Sequence, residues 1–289
     1  MTVTNRTIKT SHADIAISET AGTGLPVLLI HGNSSCKEVF EHLLDGPIGK
    51  SSRLVAMDLP GHGASSDAFD PQRTYTMPGY AEAAVELLEA MGVDRAAVYG
   101  WSLGGHVALE MLPRFPGLVG MMISGAPPVG RGAEKVMAGF KPSPNAGIVG
   151  KPDLTAEEIE IFMYATYGGA ADAVLRNALR RTDGRARAIM FQALLAGEIS
   201  DQRQLAENSA IPIAIVNGAD DLLVNLDYIG GLAYRNLWDK HCFTLRGAAH
   251  APFLQAEEAF NPIFSRFLAE MKKRAPQPAR VKASKIVAA

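Results

Sequence analysis

Short runs that are apolar on both faces recur along the chain. Residues 26–30 (PVLLI), 53–58 (RLVAMD), 96–100 (AAVYG), 119–124 (VGMMIS), 212–217 (PIAIVN) and 242–245 (CFTL) are of strand length. They suit a parallel sheet covered on both faces. Upstream, residues 8–10 and 15–19 flank His12, Ala13 and Asp14, the pattern of an opening hairpin. Between the runs the period changes to that of helices. Residues 77–91 carry an apolar stripe with Glu82, Glu86 and Glu89 opposite, 103–112 follow the third run, and 256–271 form a terminal amphipathic helix. Alternating strands and helices predict an α/β fold with right-handed crossovers.

One segment breaks the alternation. Residues 130–208 show no clear strand but several helical patterns, at 155–167, 172–179 and 185–195. Thr155 followed by Glu158 is a capping box for the first. The segment is expected to be a helical cap inserted into a core made of 1–129 and 209–271. Residues 272–285 hold six Lys or Arg, two Pro and no acid, so 272–289 are expected to form a disordered tail.

Composition narrows the function classes. Of 289 residues, 47% are hydrophobic and 20% charged, the balance of a folded globular chain. A net charge of −2 provides no field for nucleic acid or an anionic membrane. The N-terminus lacks the apolar segment of a signal peptide, and the apolar runs are too short to span a bilayer. A cytoplasmic location is the expectation. Cys36 and Cys242 are too few for a disulfide framework and read most simply as free thiols.

The candidate chemistry centres on Gly100-Trp101-Ser102-Leu103-Gly104, which joins a strand pattern to a helix pattern. In that context G-x-S-x-G is a nucleophile elbow, with Ser102 at a helix N-terminus where developing negative charge is favoured. His31-Gly32-Asn33 ends the first core strand. The backbone N–H of Asn33, paired with that of Leu103, is the candidate oxyanion hole, and the Asn33 side chain is a further substrate contact. Of seven histidines, His250 follows the last core strand and completes the order Ser…Asp…His. The acid should follow strand 212–217, which offers Asp221 with Asp220 as runner-up. His31 and His62 sit in turns, and His106 lies within the elbow helix as a packing residue. Residues 58–65 (DLPGHGAS) form an architectural turn. There is no zinc-ligand spacing, P-loop or dinucleotide fingerprint, so no metal or cofactor is called for. An elbow Ser in place of Asp argues against haloalkane dehalogenases and epoxide hydrolases.

These features extend to specific segments: HGNSS at 31–35, DLPGHGAS at 58–65, GWSLGGH at 100–106, PPV at 127–129, TDGRARAIMF at 182–191, NLW at 236–238 and AHAPF at 249–253. With them the chain resembles, from about residue 7 to 271, the AidH-type N-acyl-homoserine lactonases of the α/β-hydrolase fold. The TDGRAR segment is the more specific, because it lies in the cap, where that fold diverges most. The resemblance implies metal-independent, quorum-quenching opening of acyl-homoserine lactones by Ser102, Asp221 and His250, with Asn33 and Leu103 at the oxyanion hole. Two positions depart from the pattern. The acid, commonly Glu in these lactonases, is Asp here, and a cap tyrosine falls on Phe162, with Tyr164 nearby. Trp101, Phe140, Phe162, Tyr164 and Tyr167 are the candidate substrate contacts, with Met163, Met190 and Phe191 as further cap positions. The rival readings are a carboxylesterase, a C–C bond hydrolase, or a slow-turnover receptor for a lactone-like signal.

Overall fold

The computed structural model describes residues 3–275. Eight strands form one sheet: β1 (Thr4–Lys9), β2 (Asp14–Glu19), β3 (Val27–Ile30), β4 (Leu54–Met57), β5 (Ala96–Trp101), β6 (Leu118–Ser124), β7 (Ile213–Gly218) and β8 (Phe243–Leu245). Their spatial order is β1-β2-β4-β3-β5-β6-β7-β8. The β1–β2 and β2–β4 pairs are antiparallel, and every later pair is parallel. The first strand begins earlier than its apolar residues suggest. Its exposed polar half, from Thr4, pairs with Ser18 and Glu19 through backbone bonds that need no apolar side chains.

The two-sided apolar runs have the origin the pattern implied. Leu28 and Ile30 of β3 enter one hydrophobic cluster and Val27 and Leu29 the other, and β4, β5, β6 and β7 likewise feed both faces of the sheet. Helices Met77–Ala90 and Leu103–Met111 cover the first face. The last helix, Glu257–Arg274, covers the second with Phe260, Phe264, Phe267, Leu268 and Met271. This helix takes in Lys272, Lys273 and Arg274. The start of the basic segment is therefore helical and not tail: three cations in the last turn complement the helix dipole. The remainder of the expected tail, from residue 276, lies outside the described residues.

Between β6 and β7 the described chain is helical, with Ala156–Tyr167, Ala173–Arg181, Gly184–Ala196 and Gln202–Asn208 as its longer helices. The Thr155–Glu158 capping box is formed in both directions. One rung of extended pairing escaped the sequence pattern. Phe140 bridges Val224, with Lys141 N donating to Leu223 O at 2.8 Å and Asn225 N to Gly139 O at 2.9 Å. This rung ties the helical segment to the loop after β7. No helix among the described residues is long and apolar enough to cross a membrane. Both cysteines are free.

Tyr99 stands at the centre of the second face, its ring 5.4 Å from Phe260 and 5.3 Å from Phe264. Phe264→Ala should cost about 3–5 kcal/mol through lost burial and an unfilled cavity. Urea unfolding measures it, and a loss below about 1 kcal/mol would show that the face collapses around the gap.

Candidate active site

The parallel strands bring their C-terminal ends to one edge of the sheet, the edge where open α/β sheets bind ligands. Ile30 lies beside Gly100 and Trp101 beside Ser124, which places the turns after β3, β5 and β6 next to one another. At the end of β5 the chain reverses into helix Leu103–Met111. Ser102 takes the reversal at φ 54°, ψ −120°, a strained conformation for a residue with a side chain. Space permits it only with glycine at positions 100 and 104. A Cβ on Gly100 would fall 2.2 Å from Gly104 O, and one on Gly104 would fall 2.0 Å from Ile30 O. Ser102 N donates to Ser124 O at 2.8 Å, anchoring the turn to β6.

The backbone N–H groups of Asn33 and Leu103 donate to no acceptor among the described residues. Both residues line the same cavity as Ser102 and His250. Two free amides beside a serine hydroxyl are what an oxyanion hole requires. The side chain of Asn33 lines the cavity and is partly engaged by the protein, with one N–H and one lone pair of its amide left over. Its Nδ2 donates to Val149 O at 3.0 Å and its Oδ1 accepts from Ser34 Oγ. It holds a loop of the helical segment in place.

His250 and Asp221 are both buried and joined, Nδ1 to Oδ2, at 2.8 Å. The other carboxylate oxygen accepts from the N–H groups of Leu223 and Val224 at 2.7 and 3.2 Å. Asp220 is exposed and its side chain makes no such contact. Burial by itself raises the Asp221 carboxyl, but the facing His250 and the two amide donors outweigh it, so the group is held below its ordinary value. An acceptor on Nδ1 places that proton there and leaves the Nε2 lone pair available as a base. Ser102 Oγ makes no hydrogen bond among the described residues. Nucleophile–base contacts are often long before substrate binds.

Several residues that position the imidazole gave no signal in the sequence. Trp101, which also lines the cavity, donates through Nε1 to His250 O at 2.8 Å. Gln255 Oε1 accepts from the N–H groups of both Ala249 and Ala251, while its Nε2 donates to Tyr167 O. Asn217 Oδ1 accepts from Gly125 N at 2.8 Å. All are polar groups near an element's end, where sequence offers no partner.

The cavity has a volume of about 660 Å³. Phe140, Phe162, Met190 and Phe191 line it, and Tyr164, 69% exposed, stands on its wall at the surface. Tyr167 and Met163 do not reach it. Tyr167 is fully buried and packs its ring 5.5 Å from Trp101, supporting that wall from behind. Helix Ala156–Tyr167 turns Phe162 inward and Tyr164 outward, a choice of face that the weak amphipathicity of its sequence left open. His106, read as a packing residue, also lines the cavity. No group of three or more His, Cys, Asp or Glu is placed to hold a metal ion among the described residues.

Two predictions follow from this geometry. Gly125 has φ +63°, and a Cβ there would sit 2.6 Å from His250 Cε1. Gly125→Ala should therefore displace the imidazole and lower activity at least about tenfold in a folded protein, as read by kcat/KM beside a thermal melt. Full activity would mean that the ring tolerates the shift. Asp221 has its folded value below 3.8. Its contribution to stability is thus complete above the unfolded value and lost as pH falls through the folded one. Denaturant midpoints measured below about pH 4 should fall less steeply in Asp221→Asn than in the parent; parallel curves would contradict this linkage.

Comparison with known proteins agrees with the geometry. The profile of the alpha/beta hydrolase family matches residues 27–263. The structure is similar to that of a mutant of N-acyl homoserine lactonase AidH complexed with N-hexanoyl homoserine, with a TM-score of 0.91 at 41% identity, covering 93% of this chain and 98% of that one. An esterase from a Rhodococcus species superposes with a TM-score of 0.74 at 25% identity, over 94% of this chain and all of that one (100%). A pimeloyl-acyl-carrier-protein methyl ester esterase of Neisseria meningitidis is 29% identical over 251 residues, 84% of this chain and 76% of that protein. With the sheet order, the elbow at Ser102 and these likenesses together, the chain belongs to the alpha/beta hydrolase family and is a hydrolase of ester or lactone bonds.

Proposed function

We propose that this protein is a metal-independent serine hydrolase that opens the lactone ring of N-acyl-homoserine lactones. The observation that carries the reading is the 41% identity to a lactonase over 93% of the chain. The cavity supports it: a mostly apolar slot of about 660 Å³ with Ser102, His250 and two free backbone amides on its wall suits an acyl chain ending in a small polar ring.

In this reading His250 Nε2 takes the Ser102 proton as Oγ attacks the lactone carbonyl carbon. The N–H groups of Asn33 and Leu103 hold the oxyanion, each contributing about 3 kcal/mol to lowering the barrier. The ring C–O bond then breaks, and the departing alkoxide takes the proton from His250. Its hydroxyl remains tethered within the acyl-enzyme. Water, deprotonated by His250, releases the N-acyl-homoserine carboxylate and regenerates Ser102. Asp221 holds the Nδ1–H tautomer throughout and stabilises the imidazolium. Residues 130–208 act as a cap that supplies the acyl slot through Phe140, Phe162 and Tyr164.

A second reading, carboxylesterase action on acyl esters, is favoured by the 29% identity to a methyl ester esterase. Proton release under chelator, with a lactone and a simple methyl or aryl ester run in parallel, separates the two. The proposal expects lactone turnover, with a product heavier by one water. Ester turnover without lactone turnover rejects it, and arrest by chelator rejects its metal independence. Ser102→Ala should lower kcat about 10⁴-fold or more, and Asp221→Asn about 10²- to 10⁴-fold. An active Ser102→Ala enzyme would remove the covalent step.

A further inference from the structure

His106 lies one helical turn beyond Ser102, its N–H donating to Ser102 O at 3.2 Å. Both residues line the same cavity. The ring is 4% exposed, and it lines the cavity. Its Nδ1 meets Gln202 Oε1 at 2.7 Å. Gln202 in turn donates through Nε2 to Glu110 Oε1 at 3.0 Å. Glu110 is fully buried, and its carboxylate also accepts from Arg114 Nη1, Ser200 N and Ser200 Oγ.

This chain has one direction. The carboxylate accepts only, so the amide of Gln202 must turn its NH₂ toward Glu110 and its oxygen toward His106. That oxygen requires a proton on His106 Nδ1, which leaves a lone pair on Nε2. Nε2 has no partner among the described residues, yet it is not sealed in, as the Nε2 atoms of His42 and His62 are. Its open edge is the cavity. Burial also holds the imidazole below the usual histidine range, so it remains neutral and accepting. Phe140, 6.1 Å away between ring centroids, covers one side. A buried acceptor with an oriented lone pair and no protein donor is a group prepared for a ligand donor.

We propose that His106 Nε2 is a specificity-determining acceptor that selects substrates carrying an N–H donor beside the scissile carbonyl. The inference rests on the lactone reading above and deepens it. In an N-acyl lactone the amide nitrogen is two bonds from the carbonyl carbon, about 2.5 Å, and lies on the acyl side. When Ser102 holds the carbonyl, the amide N–H comes within reach one helical turn away. A plain ester or an acyloxy lactone has no such donor, and would leave the buried acceptor unpaired.

The test compares an α-acylamino-γ-butyrolactone with the α-acyloxy lactone of equal chain length, each corrected for its hydroxide-catalysed rate. The parent should favour the amide about tenfold or more in kcat/KM. His106→Phe should bring the ratio toward one, whereas His106→Gln, which can still accept, should keep part of the preference. Equal proportional losses on both compounds in folded His106→Phe would mean a purely structural role and overturn the proposal. So would an unaltered ratio. If His106→Phe does not fold, the parent ratio decides: a value near one rejects the proposal. A parallel pair, p-nitrophenyl N-acylglycinate and p-nitrophenyl acyloxyacetate, puts the same donor beside an unstrained ester. Hydrolysis of these esters alone would refute the lactone reading, and their ratio would still judge His106.

Discussion

The hydrogen bond between Asp221 and His250 is the interaction on which the arrangement of the site depends. A carboxylate taken out of water is costly unless its oxygens are filled. Here one oxygen takes His250 Nδ1 and the other takes two backbone amides from the same turn. The loops after β7 and β8 are thereby joined, and one tautomer of the imidazole is selected. Trp101, on the other side, holds the backbone of His250 from β5. The proposed base is thus secured from three strands, and the proposed nucleophile is set by the turn that ends one of them.

The same turn organises the opposite side of the cavity. With Ser102 fixed at the helix N-terminus, the following helix presents His106 one turn below and buries Glu110 one turn further. Glu110, Gln202 and His106 then form a line of bonds whose polarity is dictated by its buried end. Gln202 belongs to the last helix before β7, so this line joins the elbow helix to the helical segment 130–208. The rung between Phe140 and Val224 and the bond from Gln255 to Tyr167 make two more ties between that segment and the loops carrying Asp221 and His250. Rearranging the cavity wall would therefore act on Ser102, Asp221 and His250 as well as on the cavity.

Much of this was legible in the chain. The strands beginning at Val27, Leu54, Ala96 and Ile213 match their apolar runs to within a residue or two, because burial on both faces demands such runs and leaves few other places for them. The turn at Ser102 was readable because only glycine fits at 100 and 104. Asp221 was separable from Asp220 only by position in the motif, and the structure separates them by burial and by contact with the imidazole. The pocket was harder. Trp101 proved to be part of the wall and a backbone anchor, Tyr167 lies behind it, and the Asn33 amide is bound to Val149.

Local sequence determined where the chain turns, which residues sit at those turns, and which stretches must be buried, since these follow from glycine sterics and from the period of apolar positions. Tertiary structure alone decided which polar groups are paired. Gln202 reaches across 92 residues to Glu110, and Gln255 across 88 to Tyr167. A hydrogen bond depends on distance and angle in space and leaves no period in the chain. The partner of His106 Nδ1 and the opening of the ring on the cavity were likewise fixed only once its neighbours had folded around it.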